Sequence, residues 1–556
     1  MINRVTKKAQ LGEQFTGYQA SVDSFGAFGA QVDTNFAVSN IAAIRVNAMY
    51  ESLENHRDFY DGDRFGLNPT AKVVLSPSTT LDLSYEYIDH ERFIDRGIPT
   101  GSNGEPVEAF EDIVFGDADL NTTELEAHLL RATLQHEIND SLKARVTGSY
   151  SDYDKLYQNF YASFFDQAAD PTRVGIDGYV DTTQRQSFTL TGDLIGEFQT
   201  GPIGHTFVVG AEYIDTSNDN DRFNASWDDP IGGTQDDVEF FLVQRPLDFR
   251  NGVGTNFVGN PTTNDFTRDL NDRSEAEVEV LSFYVNDQIE VNQYLDIVVG
   301  LRFDSFDFAV DVVDRGDFNN GILTIDPRSS TDDRVSPRAG LIFKPQENVS
   351  LYASYSESFL PRSGEQFATI SSGNPFDPDV FETAEIGVKW DFAQSLSLTA
   401  AYFQNEQTTA VRNQITEEDF EERGLEVDGF EVQLQGNVTE QLFITAGYSY
   451  LDGETDNGAE IPRELPENTF SIWGAYQVTD KLGFGLGATY QDESFITDFD
   501  IGDTGPHPTL PSYTRIDAAA YYDISDDLRI QLNVENLTDE LYFPTSHSTH
   551  QATVGA

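Results

Sequence analysis

Few side chains in this chain of 556 residues are spaced for covalent chemistry. His547 and His550, in the run His-Ser-Thr-His, stand three apart and are near enough to share a metal. No carboxylate spacing completes a ligand set around them, so they read as loop histidines. Gly483, Gly485 and Gly487 imitate a phosphate-binding loop, but they recur at period two with no helix after them and belong on one face of a strand. Asp498, Asp500 and Asp503 are spaced as in a calcium loop without the closing bidentate Glu. Like Asp228-Asp229 and Asp236-Asp237, they read as a solvated acidic loop. HExxH, Walker and GxSxG motifs are absent, and with Cys 0 there is no thiolate chemistry or disulfide. The expectation is a protein that is not an enzyme and holds no cofactor or metal of its own.

Two groups of residues point instead to non-covalent capture. Tyr153, Tyr157, Phe160, Tyr161, Phe164 and Phe165 crowd a strand end and the long loop after it. Rings offer large contact area at low entropic cost, which suits a bulky, partly aromatic ligand; the plainer alternative is an interfacial girdle or a loop core. Phe359, Arg362 and Phe367 form a second candidate site, because a guanidinium there can meet an anionic ligand.

The elements that must position these residues announce themselves through loop length. Short polar connections fall at Ser76–Thr79, Asn139-Asp140, Gly201–Gly204, Asn292-Gln293, Pro345–Asn348, Ala393-Gln394, Asn437–Glu440, Thr479-Asp480 and Ser525–Asp527. Long acidic stretches alternate with them, at 92 to 122, 155 to 181, 216 to 274, 309 to 331, 358 to 380, 406 to 423, 453 to 465, 494 to 511 and 538 to 549. A soluble sandwich has no reason to sort its loops by length onto opposite ends. An outer-membrane barrel does so, with short periplasmic turns and long extracellular loops.

Between the connections the residues alternate. Leu482, Phe484, Leu486, Ala488 and Tyr490 share one face, and the glycines with Thr489 share the other; Leu528, Ile530, Leu532 and Val534 oppose Arg529, Gln531, Asn533 and Glu535. Hydrophobic content of 38% and the absence of a long apolar run exclude a helical membrane protein, whereas a barrel needs only alternate apolar residues. The predicted fold is all-β, a transmembrane antiparallel barrel with about 21 strands visible, one short of the even number that bacterial barrels use.

Charge narrows the partners. Lys+Arg 34 against Asp+Glu 95 gives a net charge of -61, which excludes a nucleic-acid partner. Self-repulsion on this scale is tolerable where salt screens it, which predicts a saline habitat.

Specific residues then carry a resemblance. Leu510-Pro511-Ser512-Tyr513-Thr514-Arg515-Ile516-Asp517 and Asn536-Leu537-Thr538-Asp539-Glu540-Leu541-Tyr542 resemble the last strands of TonB-dependent outer-membrane receptors. Asp95-Arg96-Gly97-Ile98-Pro99-Thr100, Arg334–Gly340, Tyr352–Phe359 and Glu385–Trp390 resemble, in order and spacing, the ferric-siderophore branch of that family. The likeness spans nearly the whole chain.

It implies an outer-membrane receptor, a monomer, whose long loops capture a ferric siderophore and whose TonB partner energises import. Iron would arrive inside its chelator. Ile2–Ala9 resembles the end of the family's plug, so residues 1–10 are expected to close a plug domain and 11–556 to form a barrel that lacks its last strand. The remaining plug and the TonB-contacting region are expected outside this sequence. The rivals are another cargo (a cobalamin, haem, another metal chelate or a carbohydrate), a non-transporting adhesive β-protein, and a halophilic soluble enzyme. The last fits the acidity but not the strand faces.

Overall fold

The computed structural model describes residues 5–228, 235–243, 253–361, 378–393, 395–412, 420–455, 462–497, 506–547 and 553–555. Twenty-four strands pair in one sheet. Three of them, Gln235–Asp236, Glu239–Leu242 and Val253–Thr255, are short pieces in the connection from Ile203–Asp228 to Pro261–Asn292. The rest form an antiparallel meander of twenty-one strands from Phe15–Val22 to Leu528–Val534, the number predicted from the loop rhythm. Among the described residues each of those two end strands pairs on one side only, so the sheet is not closed by strand pairing. It is nonetheless curled: Thr509, late in the chain, donates its N–H to the carbonyl of Gly104 at 2.7 Å.

Apart from Gln394, which lies outside the described residues, the short turns lie where polar turn residues predict them, and Gly201 takes the left-handed conformation (φ 66°) that its turn demands. One further turn, Asn40-Ile41 between Phe28–Ser39 and Ala42–Glu54, is hidden in the sequence because the apolar run Ile41–Ile44 bridges it.

The long connections are shorter than the sequence predicts, because the strands continue into them. Arg173–Thr200 has 28 residues and Pro261–Asn292 has 32, against about 9–11 needed to cross a bilayer. Above the membrane the lipid-facing apolar stripe ends: along Pro261–Asn292 and Leu295–Val313 the outward positions turn acidic, while Ala276, Val278, Phe308, Val310 and Val312 pack together on the other face. The backbone ladder persists all the same, from Leu142↔Gly196 up to Phe164↔Gly175.

Within the crossing zone the two faces are sorted. Leu281, Phe283 and Val285 are 45%, 51% and 42% exposed, and Leu301, Ile386, Leu486 and Leu532 are more than half exposed or nearly so. A band of this extent is intolerable in water and is the lipid-facing surface. The alternate residues line the lumen, where cations meet acids: Arg145 with Asp193 at 2.7 Å, Arg302 with Glu212 at 2.9 Å and Asp304 at 2.8 Å, and Lys344 with Asp296 at 2.7 Å. Gly485 and Gly487 face the lumen, as their period requires, and the indole of Trp473 lies across them; a Cβ on Gly485 would stand 2.2 Å from it. Residues 5–13 run along this inner wall, where Asn35 bonds the carbonyls of Gln10 and Glu13 and Arg45 bonds that of Lys8.

At the upper edge of the lipid band, outward tyrosines hand their hydroxyls to carboxylates. Tyr87 donates to Asp89, Tyr213 to Asp215 and Glu279, Tyr355 to Glu382 and Tyr490 to Asp492. Each ring sits at the interface and its polar end reaches water.

Candidate functional site

The mouth is organised around a buried core formed by distant connections. Ile98 and Phe115 from the 94–121 connection, Phe160 and Trp227 from the tall strands, Phe241 from the short strand Glu239–Leu242, Ile496 and Leu510 from the Ser494–Phe495/Thr509–Leu510 hairpin, and Phe543 pack together. Where the strand Thr122–Asn139 stops, the Asn121 side chain continues the ladder, accepting from the N–H of Phe160 at 2.9 Å and donating to its carbonyl at 3.0 Å.

That core holds the segment Asp95–Thr100. Arg57, its side chain 5% exposed, pairs with Asp95 at 2.5 Å and donates to the carbonyls of Glu111 and Ile113. Gly97, in a left-handed conformation at φ 89°, returns its N–H to Asp95 Oδ1 at 2.9 Å. Ile98 is wholly buried. With both neighbours fixed, the Arg96 side chain is aimed at the inner wall.

The wall it meets is built by register. Tyr157, Asn159 and Tyr161 share the lumen face of Leu142–Phe164, opposite Asp181, Tyr179 and Asp177 of the next strand. Arg222, opposite Asp181 on the third strand, clasps that carboxylate with two bonds of 2.5 Å. Tyr157 stacks on Tyr179, centroids 5.8 Å apart at 22°, and Tyr161 meets Tyr179 edge-on at 6.1 Å. The guanidinium of Arg96 lies 4.5 Å from the centroid of the Tyr161 ring and 5.4 Å from that of Tyr179, whose ring Arg222 also approaches at 4.7 Å. Arg96 Nη1 donates to Asn159 Oδ1 at 3.2 Å and to the Tyr179 hydroxyl oxygen at 2.9 Å.

Burial pushes the Asp177 carboxyl up to about 6, against the opposing pull of the Gly178 N–H and the Tyr161 hydroxyl. Burial and the Asp177 charge raise the Tyr161 phenol above its ordinary range. His547 is held toward its neutral form by burial and by the nearby Arg96 charge.

Of the ring cluster, the structure brings Tyr157 and Tyr161 to this wall. Tyr153 faces the same lumen lower down, opposite Arg185. Phe160 and Phe165 are corrected to core positions: period two turns Phe160 to the opposite face, where it is fully buried against Trp227 and Phe266, and Phe165 packs on Phe110. Neither leaves a ring face for cargo. Phe164 follows a register shift after Ala162 and rests, half exposed, on Phe240. Phe359 shares the outward, lipid-side parity of Leu351 and Tyr355, which removes it from the lumen. Arg362, Phe367, Asp229, Asp498, Asp500, Asp503 and His550 lie outside the described residues. Asp228 pairs with Arg268 at 2.8 Å.

The sequence reading did not single out Arg96, Tyr179, Asp181 and Arg222 as contacts. The signal for Arg96 was present in Asp95–Thr100; the others become visible only once the strand register is known.

An outward apolar band, a charged lumen and an aromatic mouth that carries Arg96 and Arg222 define an outer-membrane barrel of the receptor class. Residues 66–537 match the family model described as TonB dependent receptor-like, beta-barrel, and the chain belongs to that family. It is 29% identical over 596 residues to the probable TonB-dependent siderophore receptor PiuA of Acinetobacter baumannii, covering 99% of this chain and 76% of that protein. It is 27% identical over 576 residues to the metal-pseudopaline receptor CntO of Pseudomonas aeruginosa, covering 98% of this chain and 74% of that one. The crystal structure of PiuA superposes with a TM-score of 0.85 at 27% identity, covering 99% of this chain and 81% of that one. The protein is thus a TonB-dependent receptor of the bacterial outer membrane, in a family of transporters and receptors.

Proposed function

We propose that the protein captures a ferric siderophore at its extracellular mouth and imports it with energy from the TonB complex. The observation that carries this reading is the half-buried wall of Tyr157, Tyr161 and Tyr179 with Arg96 over two of those rings, at the long-loop end of the lumen. A wall of ring faces and guanidinium donors holds a chelate through its organic shell. Iron therefore needs no protein ligand, and the receptor needs no cofactor of its own. Residues 1–10 read as the end of a plug, a reading supported by the path of residues 5–13 along the inner wall. Likeness to a metal-pseudopaline receptor favours a second reading, a chelate of another metal.

Growth of a deletion strain on single ferric siderophores under iron limitation tests the proposal, with cell metal content measured in parallel. At least one siderophore should require the gene for growth. Uptake of another metal with no siderophore phenotype transfers the function to the second reading.

A further inference from the structure

We infer that the outer wall of the barrel, just above the lipid band, carries a docking groove for the saccharide headgroup of an outer-leaflet glycolipid, a role that depends on the barrel's place in the outer membrane and not on its cargo.

Strand register builds the groove. On the outward face of five neighbouring strands, Gln186, Ser217, Glu277, Ala309 and Ser329 stand side by side in one row. Two residues further up each strand, Gln184, Asp219, Glu275, Asp311 and Pro327 make a second row. Between the rows, Asn218, Ala276 and Val310 turn their side chains to the other face and are buried, so the floor of the groove is backbone. Its volume is about 680 Å³. The rows lie roughly 7 Å apart and run across the strands for about 19 Å, a trench one sugar ring wide and a few rings long.

Height selects the occupant. Leu281, 45% exposed, is the uppermost lipid-facing leucine of Pro261–Asn292 and stands opposite the interfacial Tyr213. At about 3.4 Å per residue and a tilt of about 40°, the rows through Glu277 and Glu275 lie roughly 10 Å and 16 Å above it. Phospholipid headgroups extend only about 5–7 Å beyond the hydrocarbon. A lipid whose headgroup is an oligosaccharide reaches the groove, and a phospholipid stops short of it. The groove is continuous with the lipid-facing band below, so such a lipid can seat its acyl chains and its sugars on one wall.

The chemistry of the lining agrees. Neither row contains Lys or Arg, so a phosphate would meet four carboxylates and no counter-charge. Neutral sugar hydroxyls are instead donors that ionised carboxylates accept well. Among the described residues, Asp219, Glu275, Glu277 and Asp311 accept no hydrogen bond from the protein. Gln184 and Gln186 spend an amide N–H on Asp154 and Asp152, which directs that part of the row without consuming its carbonyl oxygens. Ala309 and Pro327 supply a low apolar ledge for the C–H face of a ring.

The test is native mass spectrometry of the detergent-solubilised receptor with two probes, a lipopolysaccharide that carries its core oligosaccharide and lipid A, which lacks that core. The unaltered protein should hold the core-bearing lipid at least about tenfold more tightly, and should keep that preference in excess EDTA. Ala309→Trp, which fills the groove and leaves its charge alone, should bring the two lipids to within about twofold. Ser217→Trp, on the other side of Glu277, should do the same and serves where Ala309→Trp does not fold. Equal retention of both lipids by the unaltered protein overturns the inference, as does an undiminished preference in a folded Ala309→Trp or Ser217→Trp variant. A preference that EDTA abolishes would move the contact to cation-bridged phosphates and overturn the saccharide assignment.

Discussion

Arg57 and Asp95 form an ion pair of 2.5 Å with side chains 5% and 11% exposed, and the residue after Asp95 is the arginine that reaches the tyrosine wall. One buried pair therefore sets the aim of the mouth. Removing one partner of such a pair leaves the other buried and uncompensated, at a cost of about 3 kcal/mol or more, while replacing both is far milder.

Arg57→Ala should accordingly loosen the 94–113 segment without dismantling the barrel, whose ladder it does not touch. Faster amide hydrogen exchange confined to that segment, with cargo affinity lowered about tenfold, is the expected result. Unchanged exchange there would show that the core around Ile98 suffices to hold Arg96.

A second prediction concerns the glycines under Trp473. Gly485→Val places a branched side chain where a Cβ alone already stands 2.2 Å from the indole, so the ring must leave the wall. Overpacking of this kind costs roughly 1–3 kcal/mol. The variant should unfold at lower urea than the parent, and adding Trp473→Ala should restore part of the loss. No recovery in the double variant would place the strain elsewhere.

The pH dependence follows from Asp177. Its carboxyl is raised by burial to about 6 from an ordinary 3.8, so it stays protonated in the folded protein where the unfolded chain has already ionised. Stability from this group is present below pH 3.8 and declines as pH rises through about 6. Facing it are Tyr161, Gly178, Arg96 and Asp237, and its ionisation places a negative charge near the guanidinium. A trianionic chelate should therefore bind less tightly at pH 7 than at pH 5.5, with the difference abolished in Asp177→Asn. A difference that persists in Asp177→Asn belongs to the chelate or to His547.

The path from sequence to wall shows what period and spacing can reveal. Strand number, turn positions and lumen-facing glycines were legible because a bilayer imposes alternation and a hairpin imposes turn residues. Above the membrane the lipid-facing stripe ends and the buried face is covered by distant connections, so the tall strands through Tyr161 and Asp177 read as loops. Aromatic density drew attention to Tyr153–Phe165, but density ignores parity: Tyr157 and Tyr161 face the lumen while Phe160 faces away. Tyr179 and Arg222 join them only through the pairings Asn159↔Tyr179 and Asp181↔Arg222, which depend on where the connection between the strands ends.

The acidic surplus has a definite place, and salt should act there. Most strand cations named above face the lumen and are paired, whereas Asp215, Asp219, Glu275, Glu277, Glu279, Asp307 and Asp311 share the outward parity of Tyr213, Leu281 and Phe303 just above the lipid band. Carboxylates on adjacent strands of one face repel each other, and nearby tyrosine hydroxyls relieve only some of them. Raising the salt from about 0.1 M to 1 M shortens the screening length from about 10 Å to 3 Å, which weakens repulsion between strands far more than it weakens the buried lumen pairs. The unfolding midpoint in urea should therefore rise with sodium chloride over that range. Neutralising Glu275, Glu277 and Asp311 together should flatten the dependence. A midpoint that is flat or falls with salt in the unaltered protein would mean that the lumen ion pairs, not the outer acids, dominate its electrostatics.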